Sequence, residues 1–140
     1  MKYEESFGII PLRKNGNRWE VFLIQHNKGH YWGFPKGHAE GDETPIESAF
    51  RELKEETNLD PVDCLRIDPF VEQYQFTVRG ERVSKRVSYF VAEVTGDVVL
   101  QSVEIQNGMW VSLDEASEMI THAEGRSILS QVLAQTISSV

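Results

Sequence analysis

Apolar residues in this chain alternate along some stretches and recur every three to four positions along others. Residues 3 to 12 (YEESFGIIPL) predict a first strand, with Phe7, Ile9 and Ile10 as its apolar positions. Lys14-Asn15-Gly16-Asn17 is a turn signal, so 18 to 25 (RWEVFLIQ) should fold back as a hairpin. There Trp19, Val21 and Leu23 alternate with Arg18, Glu20 and Phe22, the pattern of a half-buried strand. After the middle of the chain, 64 to 78 (CLRIDPFVEQYQFTV) is again β-rich, with Pro69 limiting its pairing. A hairpin turn at Val78-Arg79-Gly80-Glu81 leads into a long strand over 82 to 94. Its alternation assigns Val87, Tyr89 and Val91 to one face and Phe90, Ala92 and Val94 to the other. Gly96-Asp97 turns the chain into 98 to 100, and 109 to 112 (MWVS) is a last short strand.

Helical spacing dominates elsewhere. Thr44 is a good N-cap, Pro45 suits N1, and Glu47 at N3 completes a capping box for a helix over 44 to 57. Ile46, Ala49, Phe50 and Leu53 form its apolar stripe, and Asp60-Pro61 breaks the chain beyond it. Ser112 with Glu115 opens a second helix to about Ile120. Gly125 interrupts, and Ile128, Leu129, Val132, Leu133 and Ile137 support a C-terminal helix. The order β, β, loop, α, several β, α, α suits an α/β architecture, a mixed sheet with helices on both faces. Residues 26 to 43 form a long loop, and at that length a loop in a compact domain is usually functional.

The first helix carries a second stripe. Glu52, Glu55 and Glu56 share one face, where like charges cost ~0.2–0.5 kcal/mol per pair in a bare helix. A solvated acidic face is the plain reading of such a cluster. Its alternative is a site for a hard divalent cation such as Mg²⁺, which favours all-oxygen surroundings.

The wider stretch 37 to 59 decides between these readings. Gly37, Glu43, Arg51, Glu52, Leu53, Glu55, Glu56 and Leu59 fall at the positions of the signature G-x5-E-x7-R-E-U-x-E-E-x-G-U, U being aliphatic. On those residues the chain resembles the Nudix hydrolases. One position departs: Asn58 stands where the signature has its last glycine. Asn is the next residue best able to adopt a left-handed helix end, so the departure should affect helix termination rather than chemistry. The resemblance implies an α/β/α sandwich forming one domain over 1–140. It implies hydrolysis of a nucleoside diphosphate linked to another group, with Mg²⁺ (or Mn²⁺) as cofactor. It assigns metal ligation to Glu52, Glu55, Glu56 and the Gly37 carbonyl, with Glu56 and Glu52 the first choices as essential. It makes Arg51 and Glu43 a pair that holds the loop onto the helix. Relatives often use one more glutamate from outside the signature, and Glu104 is the candidate for a ligand or general base; as a solvated loop acid it would do neither.

The run WGFPKGH (32 to 38) and the later KRVSYF (85 to 90) resemble the asymmetrical diadenosine tetraphosphate hydrolases within the group. Lys36, His38 and His30 are then candidates to bind phosphate, and Lys85 to neutralise a distal phosphate. Tyr74, Phe76 and Tyr89 are candidates to stack on adenine, although each taken singly reads as core before it reads as ligand. Lys85 and Tyr89 share a strand face, about 13 Å apart by strand rise. The resemblance favours cleavage of diadenosine tetraphosphate to ATP and AMP. Alternatives are a MutT-like nucleoside triphosphate pyrophosphohydrolase, an RNA 5′-pyrophosphohydrolase, and a non-catalytic nucleotide-binding module. The last would show losses among the three helix glutamates, and none is lost.

Charge and composition narrow the partners. A net charge of −8 argues against an extended nucleic-acid surface and leaves room for a small phosphorylated substrate screened by metal and local cations. No segment approaches 18 consecutive apolar residues, so no membrane span is expected. The start MKYEESFGII lacks a secretory pattern, and the single Cys64 suits a reducing compartment and reads as a buried small hydrophobe. A cytoplasmic monomer is expected.

Overall fold

Two long strands organise the molecule, and the computed structural model describes residues 1–135 of it. β1 (Lys2–Asn15) and β7 (Glu81–Thr95) run parallel from Lys2↔Val83 to Leu12↔Glu93. Both are rich in β-branched and aromatic residues and are buried on both faces over their middles, as a central parallel pair requires. The other strands pair antiparallel around them. β2 (Arg18–His26) returns along β1 through a two-residue turn in which Gly16 takes φ 66°. β5 (Asp60–Cys64) and β6 (Phe70–Val78) share the far side of β7, β5 along its end and β6 along its beginning. β8 (Ile105–Ser112) pairs with β2. Two short strands lie in the long loop, β3 (Trp32–Gly33) on β2 and β4 (Lys36–Gly37) on β1. Together they make one eight-stranded mixed sheet.

Helices cover both faces. α1 (Pro45–Thr57) buries Ala49 and Leu53 against Ile9, Phe22, Ile24, Phe90, Ala92 and Val94. α2 (Leu113–Met119) and α3 (Ala123–Gln135) bury Ala116, Ile128, Leu129 and Val132 against Ile10, Leu23, Val87 and Val91. The alternation of β7 is therefore as expected, with Tyr89 on the α2–α3 side and Phe90 on the α1 side. The Arg79-Gly80 turn is also as expected, with both residues at positive φ, which suits the twist of a tight hairpin.

Several expectations are corrected. β2 is not half-buried: Val21, Phe22, Leu23 and Ile24 are all buried, because α1 and the Trp110 ring pack over the face on which Phe22 lies. Residues 98 to 100 form no strand, whereas β8 begins at Ile105 rather than at 109. The glycine that suggests a loop there, Gly108, is where Phe22 approaches; a Cβ would come within 2.7 Å of its ring. Asp60-Pro61 does not break the chain but begins β5, an outer strand whose pairing shifts between Pro61 and Asp63. Gly125 lies inside α3, packed on Ile120, rather than before the helix. Phe50 is only partly buried, and Cys64 is exposed. Ile137 lies outside the described residues.

Candidate active site

Local chemistry fixes the orientation of α1. Thr44 Oγ1 accepts from Glu47 N, Glu47 Oε1 accepts from Thr44 N, and Pro45 occupies the first turn. At the other end Asn58 takes φ 67°, the left-handed cap, and its side chain donates to Asp97 O at 2.9 Å. The last carbonyls of the helix are met from the following loop: Val99 N donates to Thr57 O and Gln101 N to Glu56 O. These bonds hold the segment leading to Glu104 beside the acidic face.

Arg51 is the cation on that face. It donates to Glu43 through Nε (2.7 Å) and Nη2 (3.2 Å), to Glu52 and Glu55 through Nη1 (3.1 Å each), and to His38 O (2.8 Å). The guanidinium holds the Glu43 carboxyl at about 2, chiefly through that paired hydrogen bond. The loop from Gly37 to Glu43 is thereby tied to the helix. Glu55 is exposed and ion-paired with Arg51, sharing its Nη1 with Glu52.

Glu52 and Glu56 face inward and share a hydrogen bond. Glu56 is 3% exposed. Burial, with the charges of Glu52 and Glu104 nearby, pushes it up to about 9. Burial also raises Glu52. Lys36 N donates to Glu56 Oε1 at 3.3 Å. At Gly37 a Cβ would collide with the Glu52 carboxylate, so only glycine lets the backbone lie against these oxygens. Among the described residues no three His, Cys, Asp or Glu side chains already converge as a ligand set. The chemistry of the donors nevertheless fits a hard cation: the buried Glu56 carboxyl and the partly buried Glu52 carboxyl beside a bare backbone are oxygens that a divalent ion would satisfy.

A cavity of about 390 Å³ opens on the other face of the sheet. Tyr31, Trp32, Phe34, Tyr74 and Phe76 give it aromatic walls, and Lys36, Lys85 and Glu72 put charges into it. Its position follows from register: Lys36 pairs with Gly8, Gly8 with Tyr89, and Tyr89 with Phe70, so four strands meet at one level. Gly8 leaves the room; a Cβ there would lie 2.8 Å from that of Lys36 and 2.9 Å from the Tyr89 ring. Burial, and the like charge of Lys85 beside it, brings Lys36 down to about 8. Lys36 thus joins the two regions, its amide on Glu56 and its side chain in the cavity.

The candidate residues are sorted by this geometry. Lys36, Lys85, Tyr74 and Phe76 line the cavity. Tyr89 reaches its edge, but the ring is 3% exposed and packs edge-on against Phe34 at 5.3 Å, so it has no free face for a base. His38 lies outside, its ring against Glu5 O, and His30 lies outside against Gln106 Oε1. Glu104 is exposed immediately before β8, its charge felt by Glu56.

Several cavity residues escape the sequence reading, His122 and Glu124 among them. Glu72 is two residues before Tyr74, and that even spacing was the available signal. His26 stacks on Tyr31 with centroids 4.3 Å apart and interplanar angle 20°. Its Nε2 is buried without a partner, and burial followed by the lysine charges brings the imidazole down to about 4. Tyr31 follows a glycine and a histidine at positive φ, and nothing local predicts where its ring goes.

A mixed sheet between helices, with buried helix carboxylates meeting a glycine loop beside a lysine-bearing aromatic cavity, defines a site for a phosphorylated ligand and a divalent cation. The NUDIX domain family matches residues 2–133, and the chain belongs to that family: it is a Nudix hydrolase. It is 33% identical over 126 residues, 88% of this chain and 84% of the relative, to the rat bis(5′-nucleosyl)-tetraphosphatase [asymmetrical]. To the Caenorhabditis elegans protein of that name it is 31% identical, covering 93% and 94%. It superposes on a crystal structure of a C. elegans Ap4A hydrolase binary complex with TM-score 0.71 and 29% identity, covering 94% of this chain and 96% of that one. A MutT protein from Bacillus halodurans, at TM-score 0.73 and 23% identity over 95% and 84% of the two chains, shares the fold. Nudix hydrolases generally use divalent cations. No described helix is long and apolar enough to cross a membrane.

Proposed function

We propose that the protein hydrolyses diadenosine tetraphosphate asymmetrically, to ATP and AMP, with Mg²⁺ or Mn²⁺. The observation that carries this reading is Lys36, which links the buried carboxylates to a cavity holding a second lysine and aromatic rings. A compact triphosphate needs fewer cations beyond the reaction centre than a long polyphosphate with a nucleoside at each end. The asymmetrical tetraphosphatases among its relatives, matched over most of both chains, support the same substrate.

In this reading Glu52, Glu56 and the Gly37 carbonyl hold the cation, with Glu104 and Glu55 entering from the rim. Arg51 releases Glu55 for this while keeping Glu43. A divalent ion so held neutralises phosphate oxygens and lowers the pKa of a water. The chain's own residues do the rest. Lys36 and Lys85 bind the polyphosphate, Tyr74 stacks on adenine, and the Arg51–Glu43 pair keeps the loop in register with the helix. Glu52, Glu56 and Glu104 are the carboxylates available to take the proton from the attacking water. The free, exposed Cys64 is compatible with work in a reducing cytoplasm, and a monomer is the proposed working form.

RNA pyrophosphohydrolases are 33% identical over 68% of the chain, which makes a 5′-triphosphate RNA the proper competitor. Steady-state kcat/KM on a panel of diadenosine tetraphosphate, 5′-triphosphate RNA, 8-oxo-dGTP and ADP-ribose tests the reading. The dinucleotide should lead; a much higher value for another member would replace it.

A further inference from the structure

The turn that carries Glu104 is not held by packing. Residues 102–104 lie just before β8 with all three side chains exposed, Val103 to 81%. Hydrogen bonds hold the turn instead. Ile105 N closes it on Gln101 O at 3.0 Å, and Glu104 N donates to Gln101 Oε1 at 2.9 Å. Gln101 N donates in turn to Glu56 O at the end of α1. A second hold comes from Asn27, the residue after β2. Its Nδ2 donates to Ser102 O (3.1 Å) and Val103 O (2.9 Å), and its backbone N donates to Glu104 O (2.9 Å). Three consecutive carbonyls of the turn thus end on one asparagine.

The strand register prepares this meeting. Gln25 pairs with Asn107 but His26 with Ile105, which leaves Gln106 as an extra residue on β8. The extra residue reverses the alternation of the strand, so Val111 packs on the α2–α3 side while Ile105 packs on the α1 side. An asparagine after a strand is ordinarily a turn former that bonds its own backbone two residues on. Asn27 instead sends its amide to carbonyls 75 and 76 residues away in sequence.

We infer that Asn27 is a positioning residue for hydrolysis: it clamps residues 102–104 so that the Glu104 carboxylate stays beside Glu56. The inference rests on the reading that Glu104 serves the cation or the attacking water. A carboxylate on an unpacked turn would otherwise wander by more than the ~0.5 Å that a reacting group tolerates.

The test pairs amide hydrogen exchange of the metal-free protein, read by NMR, with kinetics at saturating Mg²⁺ on the nucleotide of highest kcat/KM. It compares the wild type with Asn27→Ala, Asn27→Asp, Glu104→Gln and the Asn27→Ala/Glu104→Gln double variant. Asn27→Ala should speed exchange at the Glu104 and Ile105 amides about tenfold and leave Met109 to Val111 unchanged. It should lower kcat about tenfold and move KM by less than about twofold. Asn27→Asp keeps the shape and the turn propensity but carries acceptors where donors are needed, so it should lose as much. In the Glu104→Gln background Asn27→Ala should cost nothing further, because it acts through that carboxylate. Unchanged exchange in Asn27→Ala, an Asn27→Asp variant equal to the wild type, or losses that multiply in the double variant overturns the inference. The two readings fail separately. If Glu104→Gln loses activity and the Asn27 variants do not, only the clamp falls. If Glu104→Gln keeps the wild-type kcat, the role given to Glu104 falls and takes the part of Asn27 in hydrolysis with it.

Discussion

Burial and two neighbouring carboxylates oppose the charge of Glu56 and push its carboxyl up. Its carboxyl titrates near 9 in the fold against 4.5 in the unfolded chain. A group raised in this way contributes stability that is fully present below 4.5 and is lost as pH rises toward 9. Glu56→Gln removes that loss. The metal-free variant should therefore gain melting temperature over the wild type at pH 8 and gain little at pH 5, and adding Mg²⁺ at pH 8 should stabilise the wild type far more. Parallel pH profiles for the two proteins would contradict the assignment. The same substitution should lower kcat by ~10³-fold, about 4 kcal/mol of transition-state stabilisation, with the fold intact. Lys85 makes a different demand. Lys85→Ala should raise KM for diadenosine tetraphosphate several-fold more than for ATP, measured at saturating Mg²⁺, since only the longer chain extends to it. Equal effects on both would place Lys85 outside the substrate site.

At the scale of elements, α1 shows most clearly what a sequence can specify locally. Asn58 occupies a left-handed cap that glycine fills without strain. Asn58→Gly should stay within about 0.5 kcal/mol of the wild type in chemical denaturation, and Asn58→Ala should lose ~1–2 kcal/mol. A stable alanine variant would show that the cap is not needed to end the helix. The capping box, the apolar stripe and the acidic stripe of α1 were legible because each depends on residues within one or two turns. What lay beyond reach was set by distant partners. Phe22 follows an alternation that would expose it, until Gly108 on β8 lets it pack against Trp110 at 5.3 Å. The run around Gly108 reads as loop for the same reason, since its pairing with β2 crosses most of the chain. The acidic stripe reads as self-repelling, yet Arg51 neutralises it by reaching Glu43, Glu52 and Glu55 at once. Tyr89 reads as a ligand ring only until its burial between Gly8 and Phe34 is known.

For the whole molecule, the sheet places two chemistries back to back around β4. α1 and its carboxylates lie on one face, the lysines and aromatic rings on the other, and Lys36 belongs to both. If the carboxylates hold the cation and the cavity holds the base, as proposed, the two grip different parts of one substrate and hydrolysis falls at one end of a long polyphosphate. The most direct test is to hydrolyse diadenosine tetraphosphate in ¹⁸O-labelled water with Mg²⁺ and resolve the products by mass spectrometry. Equal amounts of ATP and AMP, with the label in only one of them, are the predicted result. Two molecules of ADP, or an intact tetraphosphate under conditions where 8-oxo-dGTP or ADP-ribose is turned over, would contradict it.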